Sequence, residues 1–102
     1  MFDLLDLEKI ISQRASAGAD QSYTSSLLAK GTNKCAEKFG EEAVEAIIAA
    51  ATKNRDELTN ETADVLFHLL VLLNSANIPL SDVMAELHHR TAQSGHAEKA
   101  SR

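Results

Sequence analysis

The chain has 102 residues, 44% of them apolar but only 4% aromatic; that is the size of one domain, with a core of Ala, Leu, Val and Ile that favours helices over strands. A formal charge of −5 without any run of Lys and Arg excludes a nucleic-acid binder, and an anionic ligand would need a cation to mediate it. The single cysteine, Cys35, cannot form an internal disulfide, which fits a reducing compartment and a small filler side chain.

The N-terminus, Met1 to Asp6, is acidic where a signal peptide is basic, and the longest apolar run, Val65 to Leu73, is interrupted by His68. Neither export nor membrane insertion is expected, and the cytoplasm is the default location. Phe2, Leu4, Leu5, Leu7, Ile10 and Ile11 recur at helical spacing, with Gly18 as the stop. Polar residues Ala19 to Thr24 predict a loop, followed by a short helix over Ser25 to Lys30 that Gly31 ends in a left-handed conformation.

Thr32 or Asn33 is the expected cap of a helix running to about Lys53, with Phe39, Ala43, Ala46, Ile47, Ala50 and Ala51 on its apolar face. Gly40 inside that helix suggests close approach of a backbone or ligand. Asp56 is the expected cap of the next helix, whose apolar residues from Leu58 to Leu73 cover nearly its whole circumference and place it centrally. A turn over Asn74 to Ile78 leads to Pro79 and a last helix to about Ala92. Residues 1–92 thus read as one all-α domain and residues 93–102 as a polar tail.

Chemistry concentrates on the two long helices. Glu61 and Asp64 lie three residues apart on one face of the most apolar helix, and Glu42 and Glu45 have the same spacing on the helix before it. If the two pack antiparallel through the turn near Asn54 to Asp56, the acidic pairs fall at one level, because Glu45 precedes Arg55 by about as many residues as Asp64 follows it. Carboxylates held together repel unless a divalent cation joins them, and an all-oxygen donor set suits Mg²⁺ or Mn²⁺ better than Zn²⁺. The competing reading is a pair of solvated acidic faces. Lys34 and Lys38 share the stripe of Glu42, where they either meet a phosphate or serve as helical ion-pair partners. His68, one turn after Asp64, either borders the site or is a hydrogen-bonded core histidine. Glu86 and His89 form a lone Glu-x-x-His, short of the two such pairs a di-iron bundle needs.

The stretch Lys38-Phe39-Gly40-Glu41-Glu42-Ala43-Val44-Glu45, followed by Glu61 to Leu73, closely resembles the phosphoribosyl-ATP pyrophosphohydrolases of histidine biosynthesis, within the MazG-like all-α nucleotide pyrophosphohydrolases. Ser22-Tyr23-Thr24, Leu28 to Gly31, Glu86-Leu87, Arg90 and the tail Ser94-Gly95 with Glu98 to Arg102 extend the resemblance over roughly residues 20–102, with Phe67 where a tyrosine is expected.

The resemblance implies an antiparallel bundle of four to five helices, and so short a chain with one fully apolar helix is expected to complete it as a homodimer. It implies hydrolysis of phosphoribosyl-ATP to phosphoribosyl-AMP and pyrophosphate, with Mg²⁺ (or Mn²⁺) held by Glu42, Glu45, Glu61 and Asp64 and with Glu41 as outer carboxylate or general base. Lys34, Lys38, Lys30, Ser22 and Tyr23 are the expected nucleotide-binding residues. The alternatives are a house-cleaning nucleoside triphosphate pyrophosphatase with a different pocket, and a non-catalytic helical dimerisation module.

Overall fold

The computed structural model describes residues 1–18 and 22–92; the expected tail, 93–102, lies outside them. Five helices follow in order: α1 (Leu4–Ala15), α2 (Tyr23–Ala29), α3 (Thr32–Ala51), α4 (Arg55–Ser75) and α5 (Leu80–Thr91), with no strand among the described residues. The all-α expectation holds.

Each boundary has a local cause. Asp3 and Asp6 close a reciprocal capping box at the start of α1. Ser22 caps α2 by accepting from the Ser25 amide at 3.0 Å, so α2 begins two residues earlier than the predicted Ser25: the polar run that read as loop contains the cap itself. Gly31 does adopt positive φ, at 95°, but as the residue that opens α3 without a side-chain cap, so neither Thr32 nor Asn33 caps that helix. Thr32 instead donates its hydroxyl to the Ser75 carbonyl at 3.3 Å, tying the start of α3 to the end of α4. Asn54, not Asp56, caps α4, accepting from the Glu57 amide at 3.1 Å; Asp56 sits in the first turn, where its charge still suits the helix dipole.

α3 and α4 form the long helical hairpin that dominates the fold, and α4 also touches α1 and α2, which gives it the central place its circumferential apolar surface requires. The core gathers at the end of the hairpin away from its turn, from Ile11, Leu27, Cys35, Leu70, Val71 and Leu80, with Phe67, Leu72, Leu73 and Val83 packed against it. Cys35 is fully buried and its thiol faces the Leu27 carbonyl at 3.6 Å, a filler as expected. No single helix among the described residues is long and apolar enough to cross a membrane.

α3 departs from expectation at two points. Among the described residues, nothing outside the helix itself lies within 4 Å of where a Gly40 side chain would begin, so of the two expected neighbours, a backbone or a ligand, no described backbone is the first. Ile47 is 65% exposed and Ala50 and Ala51 are exposed, whereas Ala49 is buried and Ala43 and Ala46 half-buried. Small residues let α4 come close, and the larger Val44, Ile47 and Ile48 form an outward stripe at helical spacing.

The backbone turns by 111° between α4 and α5. The Leu80 amide at the start of α5 donates to a Glu8 carboxylate oxygen at 2.7 Å, a cap supplied by α1 across 72 residues where Pro79 offers none. Glu8→Ala should cost about 1 kcal/mol, the usual loss for a helix cap, measured by urea denaturation, whereas Glu8→Gln should keep most of that stability. Equal stability of the alanine variant and the parent chain would show the bond to be idle.

Candidate metal centre

The site is built on the hairpin at the level where the cap at Asn54 and the three-residue turn set the register of α3 against α4. There Glu42, Glu61 and Asp64 each bring a carboxylate oxygen to within 4.8 Å of the others. Glu42 and Glu61 are half-buried and Asp64 is exposed, so the cluster opens to solvent on one side. Glu45, expected in the same set, stands outside the triad, exposed, yet close enough for its charge to act on Glu61.

Glu61 carries the stress of this arrangement. Its Oε2 is closed off from solvent and has no hydrogen-bond partner among the described residues. Its pKa is raised above the ordinary 4.5, first by burial, then by the close approach and charge of the Glu42 carboxylate, then by the charges of Glu45 and Asp64. An orphaned carboxylate oxygen beside two more carboxylates could hold a hard divalent cation, being all oxygen and open on one side.

The sign of the pH effect follows. The folded chain holds the Glu61 proton more tightly than the unfolded chain, so in metal-free protein this group lowers stability as pH rises through 4.5, and the loss levels off above its folded-state value. A cation that needs the ionised form should offset the loss over the same window. Urea midpoints measured from about pH 4 to about pH 7 should fall more steeply for the parent chain without Mg²⁺ than for Glu61→Gln, and Mg²⁺ should remove the difference. Parallel profiles for the two proteins would refute the assignment.

The remaining predicted residues are dispersed around this point. Glu41 is exposed and paired with Lys38 at 3.2 Å, which raises the Lys38 pKa mainly through that hydrogen bond. Lys34 pairs with Glu37 at 3.2 Å rather than with Glu42. Both pairs are exposed and bind their lysines only weakly. The Ser22 hydroxyl is engaged in capping α2 and Lys30 ends the same helix, at the opposite end from Tyr23.

Tyr23 is 54% exposed and lies against Phe67 and His68 of α4. His68 is indeed in the core, 5% exposed, but its Nδ1 has no hydrogen-bond partner among the described residues, so the expected bonded histidine is instead held by aromatic edges. Glu86 pairs with Arg90 at 3.1 Å, an ordinary helical ion pair. The juxtaposition of Tyr23 with Phe67 escaped sequence reading, because no local pattern reports contact between residues so far apart.

The family model described as phosphoribosyl-ATP pyrophosphohydrolase matches residues 4–91. A phosphoribosyl-ATP pyrophosphatase of Agrobacterium fabrum is 58% identical over 101 residues, covering 99% of this chain and 94% of the relative. Proteins of the same description from Rhizobium etli and Methylobacterium nodulans are 59% and 56% identical, again over 99% of this chain and 94% of each relative.

Proposed function

This chain belongs to the phosphoribosyl-ATP pyrophosphohydrolase family, and from that premise we propose that it hydrolyses phosphoribosyl-ATP to phosphoribosyl-AMP and pyrophosphate in histidine biosynthesis, with Mg²⁺ as its ion. The observation that supports the chemistry is the meeting of Glu42, Glu61 and Asp64 within 4.8 Å around an orphaned Glu61 oxygen.

Glu42, Glu61 and Asp64 would hold the ion, and Glu45 would add its charge from the next turn of α3. A divalent ion held there would supply Lewis acidity to the phosphate and to the attacking water. The ionised form of Glu61, which burial and its acidic neighbours disfavour, is the form that would hold the ion. Glu41, on the exposed side, accepts the proton of the attacking water. Lys38 and Lys34 exchange their weak carboxylate partners, Glu41 and Glu37, for phosphate oxygens and offset charge that develops there. Tyr23, and less directly Ser22 and Lys30, meet the nucleoside end.

The active form is a homodimer, with a second copy covering the stripe of Val44, Ile47 and Ile48 on α3. Its setting is the cytoplasm, where the buried Cys35 stays reduced.

Phosphorus NMR of a reaction with phosphoribosyl-ATP and Mg²⁺ tests the reading directly. Pyrophosphate should appear with phosphoribosyl-ATP and not with dUTP, dCTP or ATP. Turnover of the deoxynucleotides in preference to phosphoribosyl-ATP would transfer the assignment to a house-cleaning enzyme, and release of inorganic phosphate in place of pyrophosphate would reject attack at the α-phosphorus.

A further inference from the structure

An exposed aromatic ring next to a phosphate-handling site invites the question of which base it accepts. Tyr23 stacks on Phe67, with ring centres 6.3 Å apart and planes 21° from parallel, and meets the edge of His68 at 6.1 Å. Phe67 and His68 in turn pack edge to face at 5.2 Å. The three rings brace one another, yet Tyr23 keeps 54% of its surface exposed. A ring fixed from behind and open in front is a stacking platform.

Its position is set by α4. Phe67 and His68 follow Asp64 by three and four residues, so the platform lies one helical turn, about 5.4 Å, beyond the acidic cluster on the same face. A nucleotide whose α-phosphate sits at the cluster has only a ribose between that point and its base, so the base falls at the level of Tyr23.

We propose that Tyr23, braced by Phe67 and His68, is the specificity-determining residue that recognises the N1-substituted adenine of phosphoribosyl-ATP and discriminates against ordinary ATP. The inference rests on the substrate reading above. Substitution at N1 makes the adenine ring system far more basic, so near neutral pH it takes up a proton and becomes cationic, whereas the base of ATP stays neutral. A cationic ring over a tyrosine face gains electrostatic attraction beyond ordinary stacking.

The experiment compares two probes, 1-methyl-AMP and AMP, as competitive ligands in the presence of Mg²⁺, binding to the parent chain, Tyr23→Phe and Tyr23→Leu. The parent chain should bind 1-methyl-AMP about tenfold more tightly than AMP, the order of one base–aromatic contact. Tyr23→Phe should retain most of that preference and Tyr23→Leu should reduce it to about twofold or less, with KM for phosphoribosyl-ATP rising about tenfold and kcat changing far less. No preference in the parent chain would overturn the proposal even if the leucine variant failed to fold, and a preference that survives in folded Tyr23→Leu would overturn it as well. Failure of the parent chain to hydrolyse phosphoribosyl-ATP is a separate result that removes the substrate reading and leaves the two-probe comparison to judge the platform.

Discussion

Asp64→Asn should lower kcat for phosphoribosyl-ATP by about a thousandfold, the scale seen when a group that stabilises developing charge is removed. Asparagine keeps the size and one oxygen of the side chain but not the negative charge, so the ion site loses a third of the carboxylates in its triad. The fold should not suffer, because Asp64 is exposed and makes no hydrogen bond or ion pair among the described residues. Metal-free Asp64→Asn should in fact be at least as stable as the parent chain, since a charge that burdens Glu61 is gone. Glu45→Gln should follow the same pattern. Near-normal turnover by either variant in Mg²⁺ would remove that residue from the machinery, and unfolding of the metal-free variant would mean that the carboxylate is structural.

Ile47→Asp should convert a dimer into a monomer. In the single chain Val44, Ile47 and Ile48 are 54%, 65% and 55% exposed, a row of large apolar side chains that a second copy would cover. Burying the row from both protomers contributes on the order of 5 to 10 kcal/mol before the cost of association. An aspartate at its centre reverses the balance, because a charge without a partner would have to leave water. Sedimentation should give twice 11.0 kDa for the parent chain and 11.0 kDa for the variant, with the helical circular dichroism retained. A parent chain that sediments as a monomer at working concentration would dispose of the dimer.

Much of the fold could be read from residue order because its causes are local. The acidic pairs Glu42/Glu45 and Glu61/Asp64 announced the site through spacing alone, and the antiparallel hairpin then brought three of the four together. Glu45 fell outside because helical phase sets direction only to within a turn, and a small rotation of α3 decides which carboxylate points inward. Hydrophobicity places Ile47 on the apolar face of α3 with Ala43 and Ala46, but close packing against α4 selects Ala43, Ala46 and Ala49 by size. Caps were misplaced by one or two residues wherever several candidates stood in a row, as at Ser22 and at Asn54. Contacts between distant segments, such as Glu8 with the Leu80 amide and Tyr23 with Phe67, left no trace in any local pattern.

Placing the whole carboxylate triad on one hairpin limits how the segment between Glu42 and Asp64 can change length. Each residue inserted into or deleted from a helical arm swings everything beyond it by about 100° around the axis, enough to carry an acidic oxygen to the far side of its helix. Only the link at Thr52, Lys53 and Asn54 can absorb such a change without loss of phase. Gene variants with altered spacing should therefore be tolerated at that link and nowhere else between the two acidic motifs.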